Sequence, residues 1–151
     1  METLAKYKLH RNRRAHSTSV FIVDDDIAYL YPLVFYLKRK TGYKIYCYTT
    51  GEDCMRNIDL SPLVVILDYN LNPHLPNKMD GMDVLKRIRR VSPETKVIVL
   101  SGRDTYQAVE NSLKTGAYSY VLKDAAAISS IKNILYTLCG GTSGNIETDT
   151  T

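Results

Sequence analysis

The sequence predicts a doubly wound α/β domain: a five-stranded parallel sheet in the order 2-1-3-4-5, with helices on both faces. Five short apolar runs alternate with segments whose apolar residues recur at helical spacing, and no segment repeats another. A strand that is apolar along its whole length is covered on both faces, as at the centre of a parallel sheet. The order 2-1-3-4-5 is common for five such units, and 151 residues suit one domain.

The predicted elements follow one another in regular alternation. The strands are predicted at residues 20–23, 43–48, 63–67, 96–100 and 118–122. The helices are predicted at about 27–40, 51–58, 81–90, 104–114 and 125–138. Glycines end three of these helices, at Gly42, Gly116 and Gly140. Pro32 lies inside the first helix, so either it kinks the first turns or the helix begins near Tyr31 with proline at its first position.

The net charge of +4 does not belong to the folded part of the chain. Residues 1–19 hold five basic residues and one acidic residue, which leaves 15 of each sign among the 20 basic and 16 acidic residues for the remainder. A nucleic-acid interface requires a basic face on the fold, so we expect no direct nucleic-acid binding. The predicted organisation is a flexible basic tail at 1–18, a domain at 19–139 and a disordered tail at 140–151.

The apolar runs and the cysteines indicate a cytoplasmic protein. No apolar run approaches the roughly 18–20 residues that a membrane span requires, and no apolar stretch follows the basic N-terminus as in a secretion signal. Three cysteines, Cys47, Cys54 and Cys139, form no C-x-x-C pair. An odd number of unpaired cysteines is typical of apolar packing residues in a reducing compartment.

Charged and polar residues stand where the predicted strands end: Asp24 and Asp25 after the first, Asp68 after the third, Ser101 after the fourth and Lys123 after the fifth. Because the carboxyl ends of parallel strands meet at one edge, three carboxylates are expected to converge there. Like charges this close require a cation, and Mg²⁺ accepts oxygen ligands. With a lysine and a hydroxyl beside them, they predict a site for a transferring phosphoryl group.

Each of these residues also has an ordinary structural interpretation. A lone aspartate after a strand is more often a helix cap or a turn former, a lone lysine is usually solvated, and a lone serine caps the next helix. Three such coincidences at three strand ends are improbable, so the phosphoryl site is favoured.

Five motifs resemble the receiver domain of bacterial two-component response regulators, in particular the stand-alone type similar to the chemotaxis regulator. They fall in order at compatible spacings and cover roughly residues 19–138, and the family's fold is flavodoxin-like. The matching motifs are residues 21–26, 65–68, 80–85, 97–102 and 116–123.

The resemblance implies that Asp68 is the phosphoacceptor. Its phosphoryl group would come from a phosphohistidine of a sensor histidine kinase or of a histidine phosphotransfer protein. Asp24, Asp25 and Asp68 would hold Mg²⁺ together with the backbone carbonyl of Asn70. The family's members are signalling switches that phosphorylate themselves and lose the group slowly, so we expect no enzyme in the usual sense.

The resemblance also implies a switch. Ser101 would bind one phosphoryl oxygen, Lys123 would pair with another, and Tyr120 would change rotamer on activation. The surface formed by the fourth helix, fifth strand and fifth helix would then control a downstream effector protein or form a homodimer.

Two departures from the family pattern lie near the site. From Asp68 to Gly81 the chain takes 13 residues, longer than is usual, which marks 72–78 as an insertion that alters access or partner choice. Lys123 is followed by Asp124 where many members have proline, so a cis peptide bond is not expected. No output domain follows, so the signal is expected to pass to another protein unless the chain is a piece of a longer regulator.

Three other classes of protein are alternatives for this sequence. A nucleotide- or flavin-binding domain requires a glycine-rich first turn, whereas this one is Asp24, Asp25 and Asp26. A phosphatase with an aspartyl-phosphate has, by family pattern, a second aspartate where this chain has Asn70. The serious alternative is a pseudo-receiver, an interaction module that keeps the fold and acts independently of phosphorylation.

Overall fold

The structure, a computed structural model, describes residues 18–139. The predicted tails at 1–18 and 140–151 lie outside the described residues except for Thr18, and they stay predictions. Within 18–139, none of the helices has both the length and the apolar character that a membrane crossing requires.

The described chain alternates strands and helices from end to end. The strands are β1 (Ser19–Val23), β2 (Lys44–Tyr48), β3 (Val64–Asp68), β4 (Lys96–Ser101) and β5 (Ser119–Leu122). The helices are α1 (Ile27–Lys40), α2 (Gly51–Arg56), α3 (Gly81–Val91), α4 (Tyr106–Lys114) and α5 (Ala127–Leu138). A short 3₁₀ turn, Ile58–Leu60, follows α2 in place of the last turn of the predicted second helix.

The sheet has the predicted order β2-β1-β3-β4-β5, with every neighbouring pair parallel. Leu67 pairs with Val23 of β1 on one side and with Val99 of β4 on the other. This register aligns the carboxyl ends of the three central strands. Polar residues that follow these strands therefore lie along a single edge of the sheet.

The central strands are buried on both faces, which explains why their sequences are apolar without alternation. Alternate residues of β1, β3 and β4 pack against α1 and α5 on one face. The residues between them pack against α2 and α3 on the other. The prediction of helices on both faces is confirmed.

Helix α1 begins at Ile27, so the alternative start near Tyr31 is wrong. The carboxylate of Asp26 accepts hydrogen bonds from the backbone N–H groups of Ala28 (3.1 Å) and Tyr29 (3.4 Å), which is how an N-cap satisfies the first turn. Pro32 therefore lies within the helix, where proline removes the hydrogen bond to the carbonyl four residues earlier.

Helices α4 and α5 begin two residues later than predicted because side chains hold their leading residues outside the helix. Thr105 caps α4, with its hydroxyl accepting from the N–H of Ala108. The carboxylate of Asp124 accepts from the N–H of Ala126 at 2.8 Å and forms a local turn before α5.

The first turn of α3 lies directly on the end of β3. Asp80 and Asp83 form a reciprocal capping box at this helix start. A Cβ atom on Gly81 would lie 2.3 Å from the carbonyl oxygen of Asp68 and 2.7 Å from that of Tyr69. Only glycine allows this approach, so Gly81 helps to set the backbone position of Asp68.

Replacing Gly81 by alanine should destabilise the domain by about 1–3 kcal/mol, because the methyl group meets backbone atoms that cannot rotate away. Urea denaturation followed by circular dichroism measures the loss. Gly42→Ala is the control, since nothing lies within 4 Å of that Cβ, and it should change stability by less than about 0.5 kcal/mol. Equal stability of the two variants would contradict the close approach at Gly81.

Candidate functional site

The polar residues predicted at the strand ends lie along the carboxyl edge of the sheet. Asp24 directly follows β1, Asp68 ends β3, Ser101 ends β4 and Lys123 directly follows β5. The backbone N–H of Asp24 donates to Tyr48 O (3.0 Å) and that of Lys123 to Ser101 O (2.8 Å). These bonds extend the sheet pairing to the site residues and fix their backbones.

A buried ion cluster joins three of these residues. The Nζ of Lys123 lies 2.7 Å from Asp24 Oδ2 and 3.2 Å from Asp68 Oδ1. The side chains of Asp24 and Asp68 are only 2% and 7% exposed, and that of Lys123 is 16% exposed. Removing charges from water is costly, so each carboxylate depends on the shared ammonium.

The carboxylates also form a group suited to a metal ion. One oxygen from each of Asp24, Asp25 and Asp68 lies within 4.8 Å of the others. Hard carboxylate oxygens are the donors that Mg²⁺ prefers, so these residues fit a divalent cation. The N–H of Asn70 donates to Asp68 Oδ1 at 3.4 Å, which places Asn70 beside the group, and the role of its carbonyl as a ligand stays a prediction.

The electrostatics leave the cluster short of positive charge. Burial raises the pKa of Asp68 to about 6, the nearby charge of Asp24 adds to the shift, and Lys123 opposes it. Burial likewise raises the pKa of Asp24, against the hydrogen bond from Lys123. Burial acts to lower the pKa of Lys123, but the hydrogen bond to Asp24 and the charge of Asp68 outweigh it and the net shift is upward. A further cation would satisfy the excess negative charge.

The two predicted switch residues, Ser101 and Tyr120, are connected through the backbone of Arg103. Ser101 is fully buried, and its Oγ accepts a hydrogen bond from the N–H of Arg103 at 3.0 Å. The hydroxyl of Tyr120 donates to the carbonyl of the same residue at 2.7 Å. The ring of Tyr120 also meets that of Tyr69, the residue after Asp68, edge to face at 6.5 Å.

The sequence motifs did not identify two participants in the site. Tyr29 places its ring 4.6 Å from the Lys123 Nζ, although nothing in its position on the first helix indicated a partner 94 residues later. Arg103 takes part only through its backbone, which leaves no trace in its residue type. Both contacts depend on how distant elements pack.

Hydrogen bonds anchor the predicted insertion at 72–78 at its first residue, Asn72, and at Met79, the residue that follows it. The side-chain amide of Asn72 donates to Thr49 O at 3.4 Å, and the N–H of Met79 donates to Glu52 Oε1 at 2.9 Å. The site residues all lie outside this segment. Among the described residues no peptide bond is cis, including the one that follows Lys123.

Residues 20–135 match the response regulator receiver domain family. The chain belongs to that family. It is 26% identical to the chemotaxis protein CheY of Thermotoga maritima over 104 residues, which are 68% of this chain and 82% of that protein. It is 32% identical to the transcriptional regulatory protein MctR of Rhizobium johnstonii over 92 residues, which are 61% of this chain and 39% of the regulator.

Solved receiver domains share the fold. The signal receiver domain of a LuxO repressor protein from Vibrio parahaemolyticus superimposes with a TM-score of 0.68 at 27% identity, over 82% of this chain and 91% of that one. A CheY-like receiver domain from Methanospirillum hungatei gives the same score at 24% identity, over 82% and 94% of the two chains. The chain spans only 39% and 22% of MctR and of the Escherichia coli regulator ZraR.

Neutralising Asp68 should stabilise the metal-free protein at neutral pH. Its folded pKa of about 6 lies above the unfolded value near 3.9, so the folded state binds more protons between these values and stability falls as pH rises through them. Asp68→Asn removes this loss and should gain up to about 3 kcal/mol at pH 7.5. Urea denaturation in EDTA measures the gain.

The difference in unfolding free energy between Asp68→Asn and the parent should shrink toward zero below about pH 4. There the Asp68 carboxyl of the parent is protonated in both the folded and the unfolded state. An equal difference at pH 7.5 and pH 4 would show that a change of packing, and not removal of the charge, accounts for it.

Proposed function

We propose that this receiver domain accepts a phosphoryl group onto Asp68 in a Mg²⁺-dependent reaction. The donor is a phosphohistidine of a sensor histidine kinase or of a histidine phosphotransfer protein. The observation that carries the proposal is the buried carboxylate of Asp68, 3.2 Å from the Lys123 ammonium and within reach of two further carboxylates. The domain is a signalling switch that phosphorylates itself, with slow loss of the group.

In this reaction an oxygen of Asp68 attacks the phosphorus atom and the phosphorus–nitrogen bond breaks. The electron pair stays with the imidazole of the donor, and an acyl phosphate remains on Asp68. Lys123, whose ammonium lies 3.2 Å from Asp68 Oδ1, would pair with a phosphoryl oxygen, and the Ser101 hydroxyl would donate to another. Magnesium, held by Asp24, Asp25, Asp68 and the carbonyl of Asn70, would neutralise charge on the carboxylates and the phosphoryl oxygens.

A pseudo-receiver remains the alternative, since a fold alone does not establish phosphorylation. The support for chemistry is that the five polar residues of the site are all present and that three of them form one ion cluster. Such a buried set of like charges costs stability, and an interaction module has no need for it.

The output is proposed to pass through the face formed by α4, β5 and α5. Tyr106 and Leu113 of α4 and Tyr118, the residue before β5, are exposed, although large apolar side chains are costly in water. Tyr120 lies on β5 and is linked to the loop that follows Ser101, so phosphorylation can reach this face. The partner is a downstream effector protein or, in a homodimer, a second copy.

Phosphorylation of Asp68 is testable with a small donor. Incubation with acetyl phosphate and Mg²⁺ should add one phosphoryl group to the parent protein, measured by intact-mass spectrometry. Asp68→Asn should add none, because it lacks the attacking carboxylate.

Asp59→Asn is the matched control, since Asp59 is an exposed aspartate on the 3₁₀ turn that follows α2, and it should label like the parent. Equal labelling of Asp68→Asn and the parent would assign the phosphoacceptor elsewhere, and an unlabelled parent would favour the pseudo-receiver.

Divalent metal should stabilise the protein by mass action, and Asp25 should be needed for it. Raising MgCl₂ from zero to millimolar concentrations should raise the melting temperature of the parent. Asp25→Asn should respond less at each concentration because a charged carboxylate ligand is replaced by a neutral amide, which binds a divalent cation more weakly. If Asp25→Asn and Asp59→Asn respond alike, Asp25 is not part of the metal site.

The Ser101–Tyr120 switch should report the bound phosphoryl group. Beryllofluoride with Mg²⁺, a stable mimic of that group, should shift backbone amide NMR signals at residues 102–124 as well as around Asp68. In Ser101→Ala the shifts near Asp68 should persist and those near Tyr120 should weaken, because the bond to Arg103 N–H is lost. Shifts confined to Asp68 in the parent would contradict the switch.

A further inference from the structure

Three groups surround the ammonium of Lys123. Two are the carboxylates of Asp24 and Asp68, and the third is the face of the Tyr29 ring, whose centroid lies 4.6 Å from Nζ. A cation this close to a ring face is attracted by the negative charge of the π system. The lysine is thus held by a neutral partner as well as by two charged ones.

The first turn of α1 fixes the position of Tyr29. Its backbone N–H bonds to the carbonyl oxygen of Asp26 at 3.1 Å and to the carboxylate oxygen of that residue at 3.4 Å. Its side chain is half-buried and packs against the core between the sheet and the helices α1 and α5. Because the turn follows directly from Asp24 and Asp25, the ring and these two carboxylates are carried by one continuous segment, from the end of β1 into α1.

A lysine side chain has four flexible carbons and many rotamers, so holding its ammonium in one place carries an entropic cost. The carboxylate partners cannot hold the lysine throughout the reaction, since Asp24 and Asp68 are also the proposed metal ligands and Asp68 becomes an acyl phosphate. Burial raises the pKa of the Tyr29 phenol, so the ring stays neutral. It is neither a proposed metal ligand nor a phosphoacceptor. It can hold the lysine while the charged partners change.

We propose that Tyr29 is a positioning residue for phosphoryl transfer: its ring holds the Lys123 ammonium beside Asp68, where a phosphoryl oxygen arrives. This inference rests on the proposed function of Asp68 and Lys123. Tyr29 acts through the lysine and without its hydroxyl, so phenylalanine should replace it and an aliphatic side chain should not.

The contact itself is measurable without phosphorylation. A ring face above the lysine shifts its side-chain ε-methylene and ammonium NMR signals upfield. Tyr29→Phe should keep the parent positions, and Tyr29→Leu should move both sets of Lys123 signals downfield. Unchanged Lys123 signals in Tyr29→Leu would show that the ring does not lie over the ammonium, and would overturn the proposal.

The consequence for the reaction is measured by the rate of labelling with acetyl phosphate and Mg²⁺. Tyr29→Leu should be slower by about fivefold, equivalent to about 1 kcal/mol, and Tyr29→Phe should stay within about twofold of the parent. Tyr31→Leu makes the same change on the same helix at a residue that is 67% exposed, and it should label at the parent rate.

Tyr29→Met keeps much of the volume without a ring face and replaces Tyr29→Leu if that variant fails to fold. The proposal is overturned if these aliphatic variants label at the parent rate, or if Tyr29→Phe is as slow as they are. A parent that does not label at all contradicts the proposed function and this inference with it. A labelled parent with unaffected variants contradicts only the role of Tyr29.

Discussion

The site depends on the burial of two carboxylates against one ammonium. Asp24 and Asp68 come from neighbouring strands and Lys123 follows a strand at the edge of the sheet, and this topology brings the three together. Removing these charges from water is unfavourable, and one lysine does not balance them, as the pKa of Asp68 near 6 indicates. The same burial strengthens any interaction with an arriving cation or phosphoryl group, because the surroundings screen charge poorly.

A continuous set of contacts leads from this cluster to the surface. Lys123 follows β5 directly, and its backbone N–H is bonded to the carbonyl of Ser101. Ser101 bonds to the N–H of Arg103, and the carbonyl of Arg103 accepts from Tyr120. A displacement of Ser101 therefore acts on the backbone of Arg103, to which Tyr120 is hydrogen-bonded. These contacts connect the ion cluster physically to Tyr120. Coupling between the two also requires that the loop containing Arg103 have two alternative arrangements.

The sequence by itself determined the sheet and the edge at which chemistry is possible. Fully apolar runs identify strands buried on both faces, and five such runs alternating with helices leave few topologies. Since parallel strands end at one edge, the pattern of the runs already implies that the residues after them lie together. Asp24, Asp68, Ser101 and Lys123 lie at that edge for this reason.

Tertiary structure alone decided the contacts between distant side chains. The pairing of Lys123 with both Asp24 and Asp68, and the ring of Tyr29 over its ammonium, depend on how α1 and β5 pack against the sheet. The start of α1 was also ambiguous, because Pro32 allowed two positions until the hydrogen bonds of the Asp26 cap fixed one. Periodicity and strand ends are local properties of the chain, whereas these contacts join segments that approach only in the folded domain.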